Sequence, residues 1–363
     1  MLDRKSLVLL ASLFGFALAS TSVYAHTYKD EVAPTNNFVM PVTIPNLKPG
    51  FEFSIAAIAL APSASNLNYA IYNKALPLLS PNWREQELNP GYSGAFELGV
   101  RYIFANQNAN DIQLDWTHLN SRTTGNISAD GIQFFIGPDY EIGPDAASIR
   151  NASGSATFRY DMVNLDAGQF LSFGQHVMMR FFGGLSAGSL QEEVKATFTG
   201  TNITAPVGPF SFSSDTTSNF TGIGPRAGME MSYRANNGFG ILGEAAVSAL
   251  IGGSHSTMRF STTTSLFTNN PQSIVDQNTT QVIPGFDAKL GISYQHECSR
   301  GSLFTIQAGY QAAVYINAIN QYSPGTYVAT EPVQTGGLFV STMNHTQSNY
   351  SVQGPFVKFA VQF

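Results

Sequence analysis

Charged side chains in this sequence recur at alternate positions inside otherwise apolar segments. Glu97 and Arg101, for example, alternate with Phe96, Leu98 and Val100. Because alternate side chains of a strand share one face, such charges must meet either water or each other. They predict an inward face that either lines a narrow aqueous path or closes as a ladder of ion pairs. The candidate positions comprise six acids and five bases: Glu97, Arg101, Asp111, Asp115, Arg180, Arg226, Glu230, Glu244, Asp287, Lys289 and Lys358.

Other residues that could do chemistry are scattered along the chain. The sequence contains no G-x-S-x-G elbow, no Walker loop and no H-E-x-x-H motif. Asp115 with His118, or His255, are the residues that could form a hydrolase site near the outer surface of a membrane protein. No nucleophile motif accompanies them. The His-Glu-Cys run at 296–298 has poor spacing for a single cation. We therefore expect a protein that is not an enzyme and that holds no metal ion and no cofactor.

The charged positions belong to segments that alternate apolar with polar or small residues, which is the pattern of β-strands. In an outer-membrane barrel one face of each strand meets lipid and the other meets a polar interior. Segment 156–168 breaks the alternation, so either a bulge lies near Met162 or its first part lies above the membrane. Ten segments are candidate strands: 50–60, 95–104, 111–118, 156–168, 176–187, 226–234, 239–249, 284–295, 303–316 and 350–363.

Short and long connections alternate between these segments. Loops as long as the longer class are unusual in compact soluble domains, whereas outer-membrane barrels have short periplasmic turns and long extracellular loops. We predict an all-β fold, a transmembrane antiparallel up-and-down β-barrel of about ten strands, with eight or twelve as the alternatives. The long connections are rich in Asn, Ser, Thr, Gly and Pro and lie near 61–93, 121–154, 188–219, 251–282 and 317–349.

Composition agrees with that class and excludes others. Charged residues make up 12% of the 363, about half the roughly 25% of a typical soluble protein, and aromatic residues make up another 12%. The aromatic content excludes a disordered chain, and a single cysteine excludes a disulfide scaffold. The net charge of −6, without a basic cluster, argues against nucleic acid as a partner.

The first residues predict the compartment. Arg4 and Lys5 precede an apolar stretch that is too short to span a bilayer, and Val23-Tyr24-Ala25 resembles a cleavage site. We expect residues 1–25 to be a signal peptide cleaved near Ala25, 26–49 a periplasmic segment and 50–363 the barrel. The predicted location is the outer membrane of a Gram-negative bacterium, where the protein is integral.

Aromatic residues support the same layout. Their positions coincide with the strand ends that the loop lengths assign to the periplasmic side. Aromatic side chains at this level form a girdle at the membrane interface. The predicted girdle consists of Phe51, Phe104, Tyr233, Phe239, Tyr294, Phe304 and Phe363.

Three stretches carry a resemblance to a known family. They are LNPGYSGAFELGVRY at 88–102, DIQLDWTH at 111–118 and NLDAGQ at 164–169. With them, most of 50–363 resembles the Legionella-type major outer membrane protein family, which is described as pore-forming. The alternating C-terminal strand ending in Phe363 also resembles the signal read by the barrel-assembly machinery. Relatives are described as disulfide-linked oligomers, so the resemblance implies an intersubunit disulfide for Cys298, which lies in a proposed periplasmic turn.

Two functions remain open at this point. The first is a porin-like pore for passive diffusion of ions and small hydrophilic solutes, with the eleven charged residues as its lining. The second is a structural or adhesive barrel with a plugged lumen, whose extracellular loops bind host or surface partners. Ten strands give a narrow interior, which favours closure, whereas the family description favours a pore. Expected partners are outer-membrane lipid and lipopolysaccharide, the assembly machinery, a second copy of the chain and host surface molecules.

Overall fold

A computed structural model gives the architecture, with fifteen β-strands among the residues that it describes. Among the described residues, no helix has the length and hydropathy to cross a membrane. The predicted signal peptide and most of the predicted periplasmic segment lie outside the described residues. The structure describes residues 42–74, 84–105, 108–129, 134–138, 147–202, 207–235, 237–263, 270–276, 278–298, 301–329 and 338–363.

Ten long strands build the barrel wall and five short strands accompany them. The strands are β1 Val42–Thr43, β2 Gly50–Ser63, β3 Asn68–Lys74, β4 Arg84–Glu87, β5 Ser93–Ile103, β6 Asn110–Ser128, β7 Phe134–Gly137, β8 Ala147–Phe173, β9 Val177–Asn202, β10 Gly208–Arg234, β11 Phe239–Thr263, β12 Asn270–Val275, β13 Thr279–Glu297, β14 Leu303–Ala329 and β15 Leu338–Gln362.

The ring closes without a free edge at the membrane level. Each wall strand pairs antiparallel with the next along the chain, in the order β2, β5, β6, β8, β9, β10, β11, β13, β14 and β15. The last strand returns to the first, with Phe359 opposite Ile55. Closure satisfies the backbone groups that lipid cannot hydrogen-bond. The prediction of an up-and-down antiparallel barrel with ten strands is confirmed.

The polarity of both wall faces reverses partway along β10. On β10 the outward side chains are apolar from Ile223 to Tyr233, and the inward ones there include Arg226 and Glu230. Toward the extracellular end of the same strand the outward side chains are mainly hydroxyls and amides, with Asp215 as the one charged group, and the inward ones include the buried Phe220. Since an apolar outer face requires lipid, we call the first part the membrane band and the second the extracellular extension.

This reversal explains the irregular segment at 156–168. Every residue of β8 from Asn151 to Phe173 pairs with β9 in one continuous register, so no bulge lies near Met162. Tyr160 and Met162 point into the interior of the barrel at the level of the extension. Val163 and Leu165 point away from the interior at the level of the membrane band. The second alternative, that the first part of the segment lies above the membrane, is the one that the structure supports.

The strands are longer than the sequence analysis predicted. A transmembrane strand needs about 9–11 residues, whereas β10 has 27 and β9 has 26. Much of the predicted long connections, such as 188–202 and 208–219, is therefore strand of the extension. The alternation was missed there because serine and threonine occupy both faces. Periplasmic turns such as 174–176 are short, as expected.

Residues of the first extracellular connection fill the outer mouth of the barrel. β3 pairs with β4 and with β7 in a separate small sheet. Leu67, Tyr69 and Leu88 of this connection are buried. The Tyr69 ring lies directly against Gly154 of β8, where even a methyl group would overlap it. We call residues 64–74 and 84–92 the loop-1 plug.

Candidate functional site: the filled lumen

The structure brings all eleven predicted charged residues together inside the barrel. They lie at the level of the membrane band and form three groups of ion pairs and hydrogen bonds. Near the periplasmic end, Arg180 Nε lies 2.8 Å from Asp111 Oδ2, and Arg101 Nη2 lies 3.1 Å from Glu230 Oε2. The side chains of Asp111 and Arg180 are at most 2% exposed, so hardly any water reaches them. Their role as a pore lining remains a prediction.

Two further ion-pair groups lie above this level. Arg226 pairs with Asp166, with Asp287 at 2.8 Å and with Glu244 at 3.3 Å. Glu97 accepts hydrogen bonds from Lys289 Nζ at 2.8 Å and from Lys358 Nζ at 3.2 Å. Buried charges persist only when they are paired in this way. The three groups span the lumen from wall to wall, because their members come from strands on opposite sides of the ring.

Two aromatic rings separate the arginines of this network. Arg180 Cζ and Arg226 Cζ each lie 4.9 Å from the centre of the Phe182 ring. Arg101 Cζ lies 5.8 Å from the centre of the Phe170 ring. A guanidinium over an aromatic face is attracted by the ring quadrupole, more strongly where water is absent. The rings thus occupy space in the lumen that water would otherwise take.

Sequence reasoning missed three members of the network. Asp166 contacts Arg226, Glu52 lies 3.9 Å from Arg101, and Gln113 connects Arg101 to Asp115 through its side-chain amide. Glu52 and Gln113 alternate with outward apolar residues, so the same parity argument could have found them. Asp166 was missed because the parity of β8 was ambiguous until the register was known.

A small cavity lies within the charged network. Its volume is about 50 Å³, which holds a few water molecules at most. Glu97, Asp115, Arg226 and Lys289 line it, together with Tyr160 and Tyr315.

Three tyrosines close the lumen above the cavity. The hydroxyl oxygens of Tyr160 and Tyr315 are 3.0 Å apart, and the Tyr160 ring stacks on that of Tyr350. Tyr350 is fully buried. This tyrosine layer separates the charged lumen of the membrane band from the apolar interior of the extension.

The interior of the extension is a hydrophobic core. Its fully buried side chains come from strands on several sides of the ring and from the loop-1 plug. They include Leu60, Leu119, Phe158, Leu190, Phe198, Phe212, Phe220 and Leu250.

One carboxylate lies buried in this core. Glu192 is 2% exposed, and the amide of Asn66 in the loop-1 plug donates a hydrogen bond to its Oε1 at 2.5 Å. The same Asn66 accepts a hydrogen bond from the Ser348 hydroxyl at 3.1 Å. Burial raises the pKa of Glu192 to about 7, and the hydrogen bond from Asn66 opposes that rise. The plug is thus tied to the wall through a group that titrates near neutral pH.

The candidate catalytic pairs do not form. Asp115 points into the lumen, whereas His118 lies on the opposite face of β6, where its Nδ1 is 2.7 Å from Asp161 Oδ1. His255 contacts the Thr257 hydroxyl. Among the described residues, no three His, Cys, Asp or Glu side chains are arranged to hold a metal ion. Cys298 is a free, exposed thiol in the turn between β13 and β14, and its pairing with a second copy remains a prediction.

The predicted girdle residues lie on the outward face at the periplasmic ends of the strands. Two ring pairs hold neighbouring strands together there, Phe51 with Tyr102 at 4.7 Å and Phe239 with Tyr294 at 4.9 Å between ring centres. Phe363 is 61% exposed. Aromatic side chains at one level around a barrel are typical of the membrane interface.

A closed ten-stranded ring with an apolar outer band, a charged interior and an aromatic rim defines the class: this is an outer-membrane β-barrel. Residues 43–363 match the model of the family described as Legionella pneumophila major outer membrane protein precursor, and the chain belongs to that family. The resemblance noted in the sequence is thereby confirmed.

Solved structures with similar folds were also found. The outer membrane protease OmpT from Escherichia coli is 10% identical, with a TM-score of 0.37, over 86% of this chain and 97% of that chain. A FadL homologue from Pseudomonas aeruginosa is 9% identical, with a TM-score of 0.23, over 86% and 89%. The CymD monoaromatic hydrocarbon channel is 8% identical, with a TM-score of 0.29, over 87% and 89%. No curated protein matches the chain.

Proposed function

We propose that this protein is a closed-lumen outer-membrane barrel whose task is to hold a rigid extracellular extension, and the connections at its tip, above the membrane. The observation that carries the proposal is the filling of the lumen at two levels. Ion pairs and arginine-stacked rings fill the membrane band, and a hydrophobic core with the loop-1 plug fills the extension. A filled interior is stiff and well packed, which suits a support better than a conduit.

The outer face of the extension supports a role in contacting surface partners. On β10 this face presents Ser211, Ser213, Thr217, Asn219 and Thr221, which are short polar side chains with little charge. Such a face can hydrogen-bond a hydrated partner while losing little side-chain entropy. Binding of purified protein to host surface molecules, with and without proteolytic trimming of the extension, tests this part of the proposal.

Conductance of refolded protein in a planar bilayer tests closure. The closed barrel is expected to give no steady steps at two salt concentrations, while the same sample shows a folded, heat-modifiable band on a gel. Steady steps that scale with salt in that folded sample would contradict the proposal.

A pore for ions and small solutes is the second candidate, and the charged cavity favours it. A water-sized space already exists among Glu97, Asp115 and Lys289. If steps are seen, Lys289→Glu and Arg101→Glu should change ion selectivity, because both side chains would line the path. Unchanged selectivity in both variants would argue that the current does not pass through this lumen.

We also propose that the protein is not an enzyme. The family description supports this view, as does the separation of Asp115 from His118 on opposite faces of one strand. Protease and lipase assays on folded protein test it, and turnover above that of a heat-denatured control would contradict it.

A further inference from the structure

Two arginines on neighbouring strands face outward just above the membrane band. In the register of β6 and β8, Asn120 lies opposite Arg159, and Arg122 lies opposite Thr157. Arg122 and Arg159 are therefore diagonal neighbours on one face, with Cβ atoms about 7–8 Å apart, and both are exposed. Two long guanidinium side chains at this separation can reach one common anion.

The immediate neighbours of this arginine patch, Arg122 with Arg159, are mostly neutral. Arg159 lies between Asn120 and Gln191, whose amides can also donate hydrogen bonds. Two carboxylates are adjacent, and each pairs with a cation outside the patch: Asp161 with His118 at 2.7 Å, and Glu193, which lies opposite Thr157, with Lys195. No ion pair joins either guanidinium to another residue in the part of the chain that the structure describes.

The position of the patch relative to lipid is set by the residues below it. Val163 and Leu165 on β8, with Leu114 and Trp116 on β6, are outward and exposed, so they contact acyl chains. Arg159 is four positions from Val163 along β8, about 10 Å along the barrel axis for a strand tilted by roughly 40°. Trp116 lies opposite Val163, at the upper edge of the apolar strip, and tryptophan prefers the boundary between acyl chains and headgroups. The patch is therefore at headgroup height.

We propose that Arg122 and Arg159 bind a phosphate group of lipopolysaccharide in the outer leaflet, with the acyl chains of the same molecule against Leu114, Trp116 and Val163. Arginine suits this ligand because its planar fork donates two parallel hydrogen bonds to phosphate oxygens. The patch supplies two such forks above an apolar strip, which matches a ligand that is phosphorylated at one end and lipidic at the other.

Other cations of the extension lack this combination. Lys195 pairs with Glu193, and its Nζ is 3.4 Å from Asp215 Oδ2. Arg259 lies opposite the same Asp215 in the register of β10 and β11. Both cations therefore have a carboxylate beside them, and both lie further from the apolar band. Because Lys195 pairs with Glu193, next to the patch, Arg259 serves as the matched control for the net charge of the extension.

Binding of two purified lipids to folded protein tests the site. The probes are bisphosphorylated lipid A and the same lipid with both phosphates removed, and native mass spectrometry measures the bound fraction in detergent. We expect wild type to bind the phosphorylated probe at least about tenfold more tightly than the other. The double variant R122Q/R159Q should lose about tenfold in affinity for the phosphorylated probe only, since it removes two charge-assisted contacts.

Controls separate a specific site from general charge. R259Q should bind the phosphorylated probe within about twofold of wild type, and R122K/R159K should fall between wild type and the glutamine variant. Should the double variant not refold, R122Q and R159Q alone are each expected to lose about threefold. Wild-type affinity in a folded glutamine variant, or an equal loss in R259Q, would overturn the proposal.

Discussion

The membrane band and the extracellular extension are two regions of the same ten-stranded wall with opposite polarity. In the band, apolar side chains such as Met229 face out and Arg226 faces in. In the extension, Thr217 faces out and Phe220 faces in, on the same strand and with the same parity. The backbone is alike in both regions, so the surroundings of the wall, lipid or water, decide which side chains go where.

The interiors of the two regions are also filled by different kinds of side chain. The band relies on charges that must remain paired, whereas the extension relies on apolar packing with one buried carboxylate. When one partner of a buried ion pair in the band is removed, the other charge is left unpaired. This destabilises the fold more than the loss of an apolar contact does. The comparison predicts different responses to substitution in each region.

The largest effect is expected from Arg226→Ala. The change leaves Asp166, Asp287 and Glu244 without their cation inside a closed lumen. We expect the free energy of unfolding to fall by about 3–5 kcal/mol, as for other broken buried pairs. Urea unfolding in detergent micelles measures it, with Arg234→Ala at the exposed periplasmic rim as the control. A loss below about 1 kcal/mol would mean that water fills this part of the lumen.

A lysine placed on the outer face compares the surroundings directly. Met229→Lys puts a charge into lipid and should destabilise the barrel by about 2–4 kcal/mol if Met229 lies near the bilayer midplane. Thr217→Lys, on the same face of the same strand, meets water and should change stability by less than about 0.5 kcal/mol. Unfolding of both variants in lipid vesicles gives the difference. Equal effects would show that the polarity reversal on β10 does not mark the membrane boundary.

The smallest effect concerns pH and belongs to the extension. The pKa of Glu192 is about 7 in the folded protein and 4.5 without its surroundings, so the folded state binds the proton more tightly. Stability contributed by this group is therefore present below pH 4.5 and is lost as pH rises through 7, by at most about 3 kcal/mol.

Glu192→Gln keeps the shape of the side chain but removes its charge. The free energy of unfolding of this variant should therefore change less between pH 4.5 and pH 7 than that of wild type. Protection of the loop-1 plug from added protease, measured between pH 5 and pH 8, reports the change locally. If wild type and the glutamine variant have the same profile, the contact between Asn66 and Glu192 does not control the plug.

Much of the membrane band could be predicted from sequence because its alternation is strong. Met229, Met231 and Tyr233 alternate with Gly228, Glu230 and Ser232, and no other arrangement buries one set while exposing the other. The extension of the same strand was assigned to a loop. Ser214, Thr216 and Ser218 face inward there, and the residues between them that face outward are also polar. The alternation of inward and outward side chains is therefore not visible as an alternation of apolar and polar residues.

Part of the site depends on contacts that no local pattern encodes. The charged residues were found by parity alone, but their partners come from strands far apart in sequence, as in the pairing of Arg180 with Asp111. The burial of Tyr69 against Gly154 follows from the path of a connection across the barrel mouth. Glu192 was missed because the predicted strand ended at residue 187.

The near absence of charge on the outer face of β10 above the membrane band has a consequence for biogenesis. A barrel that is inserted from the periplasm must carry the outer half of every long strand through the bilayer before that half can meet water. On β10 this half presents hydroxyls and amides, with Asp215 as its single outward charge. Moving a hydroxyl through hydrocarbon costs far less than moving an ion. A surface of serine and threonine is thus well hydrated outside the cell, and its transfer through the bilayer during insertion has a low free-energy cost.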